Sequence, residues 1–252
     1  MSSESVILEK DGSICNLIMN RPNVMNALDA NMVECFKSAL EKIEKDNTIR
    51  VIILSGAGGN FSSGADLNLL ANADYAPETL NMLRVLRKIM LQLRNLDQPI
   101  VTKVRGVAYG FGANLALLGD FVVASNNARF CEVFVNINAM IDGGGSYYLP
   151  RLVGLAKAKE LALLGEEFSG KEAKEIGLIY KSVDENELDE AALDVAKKLS
   201  KKEPVALSLI KEALDNSLNM SFSEALEWEF AHQAIMIQSK EHKLLLKKLL
   251  KR

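Results

Sequence analysis

Two histidines, three cysteines, five prolines and one tryptophan are all that 252 residues contain, and each scarcity removes a class of protein. Cys15, Cys35 and Cys131 are odd in number and widely spaced, which fits reduced cytoplasmic thiols rather than a disulfide framework. His232 and His242 do not share a helix face and have no third ligand nearby, so no metal is expected. A Gly-x-Ser-x-Gly elbow and a Walker motif are both missing, and Gly110-x-Gly112 lacks the third glycine of a dinucleotide fingerprint. No apolar run approaches the roughly 20 residues that cross a bilayer, and Met1 to Gly12 show no basic-then-apolar leader. With 30 Lys and Arg against 33 Asp and Glu, the net charge of −3 offers no field for phosphate polymers. Neither nucleic acid nor membrane is therefore an expected partner.

What is present is patterned apolar text, 48% of the chain. Val6 to Leu8 and Ile14 to Met19 read as strands joined by a turn at Lys10 to Ser13. Asp29 is a plausible N-cap for a helix to about Lys45, with Val33, Phe36, Leu40 and Ile43 on one face. Arg50 to Leu54 reads as a buried strand, and a long amphipathic helix follows Pro77. Ile100 to Val104 is another strand, leading through Gly106, Gly110 and Gly112 into a short helix, Asn114 to Leu118. A strand Asp120 to Ala124 comes next, and Ala128 to Val135 continues as a strand. Asp142-Gly143-Gly144-Gly145 opens further helical text, broken at Gly154 and Gly165. From Glu185 onward the pattern is helical. Alternating strands and helices argue an α/β fold, and the closing helices argue a packing or assembly module. The expected division is a core over 1–195 and a helical region over 196–252.

The glycines between strand and helix matter chemically. A helix start presents unpaired N–H groups, so the Gly106 to Gly112 loop is a site for an anion or a developing oxyanion held by backbone.

Four stretches in order carry a resemblance: Arg21-Pro22 to Asn26-Ala27-Leu28, Ser62 to Leu67, Gly106 to Leu118, and Asp142 to Gly154. Together they resemble the crotonase (enoyl-CoA hydratase/isomerase) superfamily across essentially the whole chain. The resemblance implies a spiral of ββα units followed by helices that pack homotrimers, or dimers of trimers. It implies an acyl-CoA thioester whose carbonyl is held by the amides of Ala65 and Phe111, with no cofactor beyond coenzyme A as part of the substrate. It also implies substrate contacts at Val24, Ala27, Ala65, Asp66 and Leu67, with Gly110 and Phe134 added. Asn23 and Asn68 stand where relatives often carry lysine, which leaves Lys243, Lys247 and Lys248 as alternative phosphate contacts or simply as a solvated helix face.

Hydratases of the superfamily flank a water with two glutamates, and the matching positions here are Asn114 and Phe134. Asn114 can hold a water but takes no proton at neutral pH. Glu132 lies two residues before Phe134. A strand glutamate is usually solvated, and only a local shift brings it inward. Asp142 resembles the aspartate by which superfamily isomerases move a proton along the acyl chain. Phe111, Phe134, Met140 and Ile141 are expected to raise its pKa. Its other reading is a helix cap. Isomerase is thus the leading expectation. A hydratase with an altered water site, a thioester decarboxylase, and a silent acyl-CoA- or RNA-binding scaffold remain open.

Overall fold

The computed structural model describes residues 4–71 and 75–251. Strands β1 (Val6–Asp11) and β2 (Ile14–Met19) form the expected hairpin, and α1 (Ala30–Lys45) returns over them. Asp29 caps α1, its side chain accepting from Met32 N at 2.8 Å. β3 (Val51–Gly56) is followed by the short α2 (Leu67–Ala71) and the long α3 (Ala76–Arg94). β4 (Ile100–Val104), β5 (Val107–Tyr109), α4 (Phe111–Leu117), β6 (Phe121–Ser125) and β7 (Arg129–Cys131) make the glycine-rich centre of the chain. α5 (Gly145–Leu164) bends at Gly154. Then come β8 (Phe168–Ser169), α6 (Gly170–Glu175), β9 (Lys181–Val183), α7 (Leu188–Ser200), α8 (Pro204–Ser217), α9 (Phe222–Gln238) and α10 (Lys240–Leu249).

Six strands order as β1-β2-β3-β4-β6-β9, parallel except for the β1–β2 hairpin, and β5-β7-β8 form a second sheet. The continuous apolar text of β3 follows from burial on both faces. Ile52 and Leu54 enter the main core with Phe36, Leu40 and Phe61, while Val51 and Ile53 face the opposite way onto α7 with Val195. α7 buries Leu188, Ala192 and Ala196, whereas α8, α9 and α10 contribute no buried residue. Phe222, Phe230 and Leu250 there are at least two-thirds exposed.

The loops that build the site are tied together by buried polar side chains. Asn26, fully buried, accepts from Arg21 N at 2.8 Å and donates to Ala57 O (2.9 Å) and Asn60 O (2.8 Å). Ser62 Oγ donates to Asn26 O and accepts from Gly64 N. Asn60 Oδ1 accepts from Val107 N at 3.0 Å, which brings in the third loop. Buried donors and acceptors left unpaired cost about 1–3 kcal/mol each. Asn26→Ala is therefore expected to lower the unfolding free energy by about 2–4 kcal/mol in urea titration. A loss under about 0.5 kcal/mol contradicts the structural role of this network.

Candidate active site

Two main-chain amides converge where the loops meet. Leu28 N donates to Gly64 O (2.8 Å) and Asp66 N donates to Leu28 O (3.0 Å), the pattern of a single parallel bridge flanking Ala65. Those bonds take the neighbours of Ala65, so its own N–H points to the other side. Phe111 opens α4 after Gly110 (φ 51°), a cap with no side-chain acceptor, so its N–H is one of the helix's orphan donors. Among the described residues neither Ala65 N nor Phe111 N has an acceptor. The turns touch: a Cβ on Gly64 (φ +92°) would lie 2.8 Å from Tyr109 O and 3.4 Å from Phe111 N. Only glycine fits there.

Two cavities of about 260 and 340 Å³ adjoin these amides, and Leu83, Leu86, Phe111 and Asp142 line both. The first adds Leu28 and Ala65, the second Met90, Arg94, Tyr147 and Tyr148. Arg94 closes the far end: it donates to Tyr147 Oη at 3.2 Å, lies 4.8 Å over that ring and faces the Asp215 carboxylate at 3.8 Å.

Asp142 does not cap α5. Gly144 occupies the N-cap with φ 88°, and Asp142 Oδ1 is buried with no hydrogen-bond partner. Burial pushes its pKa up to about 6. Of the apolar neighbours expected from sequence, Phe111 and Ile141 lie close by, but Met140 is 78% exposed and points to solvent. Phe134 packs against Gly110 and lines neither cavity, and Gly110 lines neither as well.

The position of Glu132 corrects the sequence reading. β7 ends at Cys131, and Val133–Ile137 wind into a 3-10 turn rather than continuing the strand. Phe130, Cys131 and Glu132 are all buried in succession, Glu132 to 1% exposure. Its Oε2 accepts from Asn114 Nδ2 at 3.3 Å, and the same nitrogen donates to Asp142 O at 2.8 Å. Burial raises the Glu132 pKa to about 7, with the Asp142 charge adding to the rise. Asn114 is itself fully buried and its Oδ1 has no donor. No motif marks Glu132; counting by twos from the buried Phe130 is the signal that places it inward.

Of the expected coenzyme A contacts, Ala27 is buried, whereas Val24 (41% exposed) and Leu67 (70%) form an open rim. Asp66 is committed internally. Desolvation acts to raise its pKa, but hydrogen bonds from Asn68 N and Arg21 Nη1 outweigh it and hold the carboxyl below its usual range. Leu69 also lines the first cavity. Lys243, Lys247 and Lys248 are exposed on α10. His232 stacks on Trp228 with ring centroids 3.8 Å apart, and its Nδ1 lies 2.7 Å from Trp228 O. Among the described residues no group of three or more metal-ligating side chains occurs.

Two amides without acceptors among the described residues thus stand on a largely apolar cavity, with the half-buried Asp142 at its edge. The enoyl-CoA hydratase/isomerase family model matches residues 9–250, and the chain belongs to that family. It is 33% identical over 244 residues to the 1,2-epoxyphenylacetyl-CoA isomerase of Escherichia coli, covering 95% of this chain and 93% of that one. It is 33% identical over 230 residues to the short-chain-enoyl-CoA hydratase of Clostridium acetobutylicum, covering 91% and 88%. The crystal structure of an enoyl-CoA hydratase from Bacillus anthracis superposes with TM-score 0.93 at 29% identity, over 98% of this chain and 96% of that one.

The raised pKa of Asp142 is also a stability statement. Between the ordinary value of 3.8 and about 6 the unfolded chain has lost a proton that the folded chain keeps. Raising pH through that window therefore favours unfolding. Asp142→Asn removes the penalty, so the variant is expected to exceed wild type by about 1–3 kcal/mol at pH 7.5 and to match it at pH 4 in urea titrations. Equal stability at both pH values contradicts the buried carboxyl.

Proposed function

We propose that this protein is an acyl-CoA isomerase that moves a double bond by a proton shuttle on Asp142. The observation that carries the reading is that Asp142 lines both cavities beside Ala65 and Phe111 with an unpartnered buried oxygen. Its ionised form takes the proton from the carbon next to the thioester of a β,γ-unsaturated acyl group. The C–H electron pair moves into the carbonyl as a dienolate, whose oxygen accepts from Ala65 N and Phe111 N. Amides preorganised in this way are worth roughly 3–4 kcal/mol each where comparable donors have been removed. The acid form of Asp142 returns the proton at the γ carbon, and the double bond then lies next to the thioester. A pKa of about 6 suits this exchange, because the group is mostly ionised at neutral pH yet basic enough to take a carbon-bound proton assisted by the amides. The second cavity, lined by Leu83, Leu86, Met90, Tyr147 and Tyr148, suits an apolar or ring-bearing acyl group.

The relatives include both an isomerase and a hydratase by name, so they do not choose between the two activities. The residues favour the first. Asn114, which stands where a hydratase would place its first glutamate, is held by Glu132 and the Asp142 carbonyl. A hydratase using Asp142 and Asn114 is the second reading, supported by the buried Asn114 oxygen that lacks a donor. Assembly into trimers through α8–α10 is part of the proposal, supported by the exposed Phe222, Phe230, Leu249 and Leu250.

With an enoyl-CoA panel in deuterium oxide, wild type is expected to exchange label and shift the double bond without adding water. Asp142→Asn is expected to slow exchange by about 10²–10⁴-fold while ester affinity changes little. Unchanged exchange removes Asp142 from the chemistry, and net hydration selects the second reading. Light scattering at micromolar concentration is expected to give a trimer or a multiple of it; a monomer contradicts the assembly.

A further inference from the structure

Two carboxyls are buried below a tenth exposure among the described residues, and they are treated very differently. Asp66 has Arg21 at 3.1 Å. Glu132, at 1% exposure, has no cation within ion-pair distance among the described residues. Its one hydrogen-bond partner among the described residues is Asn114 Nδ2. A buried carboxylate without a counter-charge costs several kcal/mol, and a glutamine would accept the same bond without that cost. A carboxyl kept at such a position is not explained by packing.

Asn114 links Glu132 to both halves of the site. It lies one turn after Phe111 on α4, and its Nδ2 holds the Asp142 carbonyl at 2.8 Å. It is also wedged against the glycine turn, where a Cβ on Gly145 would fall 2.5 Å from Asn114 Nδ2. The Asn114 carboxamide is thus held directly against the peptide that carries Asp142. Neither Glu132 nor Asn114 lines either cavity, so Glu132 acts on the cavity only through Asn114 and the Asp142 peptide that Asn114 holds.

We propose that Glu132 is a positioning residue that works as a neutral acid: protonated, it fixes the Asn114 carboxamide against the Asp142 peptide and leaves the one negative charge of the trio on Asp142. The inference rests on the isomerase reading above. If Glu132 ionises as well, a second negative charge stands behind Asn114 and the Asp142 peptide while the dienolate forms in the cavity beyond them. Like charges disfavour one another at short range in a site screened from water. The active form is thus Asp142 ionised with Glu132 neutral, which confines full activity to a band of pH. The groups that face Glu132 are few. The turn before α5 brings Asp142, and β7 brings the Cys131 thiol, pushed up to about 11 by burial, with Glu167 and Glu132 adding. α4 and the turn Val133–Ile137 carry no titratable side chain.

Two measurements test this. The first is the pH profile of kcat/KM for proton exchange in wild type and Glu132→Gln. Wild type is expected to rise with the ionisation of Asp142 near 6 and to fall above about 7. The variant is expected to keep the rise and lose the fall, with KM changed less than about twofold, so that its activity at pH 9 relative to pH 6.5 exceeds that of wild type at least threefold. An alkaline limb identical in both proteins overturns the proposal. So does a folded variant that is inactive at every pH, which would make Glu132 the proton carrier itself. The second needs neither activity nor the Glu132 variant: carbon-13 NMR titration of protein labelled at glutamate carboxyls, in wild type and in Asp142→Asn. One glutamate is expected to titrate near 7, and its midpoint is expected to fall in Asp142→Asn, where the neighbouring charge is gone. Every glutamate titrating below about 5 overturns the proposal. Failure of the isomerase reading would show separately, as unchanged exchange in Asp142→Asn with the Glu132 titration intact.

Discussion

Two N–H groups without an acceptor among the described residues, on turns 46 residues apart, belong to residues that line one cavity. An unsatisfied buried amide is expensive, and a chain that keeps two side by side must hold them by other means. Here the means are polar and local. Asn26, Asn60 and Ser62 knit the loops before α1, after β3 and before β5 into one unit through backbone carbonyls and amides. The parallel bridge of Leu28 with Ala65 and the close approach of Gly64 to the start of α4 then fix where the two donors point. The fold contributes rigidity, with a sheet buried on both faces behind these loops. The apolar cavity contributes low polarity, which makes each donor worth more than it would be in water.

The carboxyls pull against that stability. Asp142 and Glu132 sit within one connected group around Asn114, and burial raises both pKa values. Each would be better solvated elsewhere, and each is held where its protonation can change near neutral pH. That is the usual relation between a functional site and the scaffold that carries it. The arrangement differs from a pair of carboxylates flanking a water, because only Asp142 lines the cavities and the other acid lies behind an amide.

Much of this was legible in the residues, for identifiable reasons. Asp29 before an amphipathic run gives α1, and β-branched runs at 51–54 and 100–104 give β3 and β4, because both signals are local. The glycine spacing at 106–112 marked the strand-to-helix turn for the same reason. The solvated reading of Glu132 fails because it rests on the usual exposure of strand glutamates, whereas here the residue follows the buried Phe130 and Cys131 and leads into the turn at 133–137. Met140 stands two residues before Asp142, yet it is 78% exposed, because nearness in sequence does not set which way a loop side chain turns. The distal wall of Arg94, Tyr147 and Tyr148 joins α3 to α5 across 53 residues, a contact no local pattern encodes.

The central claim is that both amides bind one thioester oxygen. Isotope-edited infrared difference spectroscopy of an acyl-CoA labelled at its thioester carbonyl reads that contact directly. Binding is expected to move the C=O stretch to lower frequency in wild type, with a smaller displacement when the Ala65–Phe111 geometry is disturbed by Gly64→Ala. A carbonyl band at the same frequency free and bound would contradict the account.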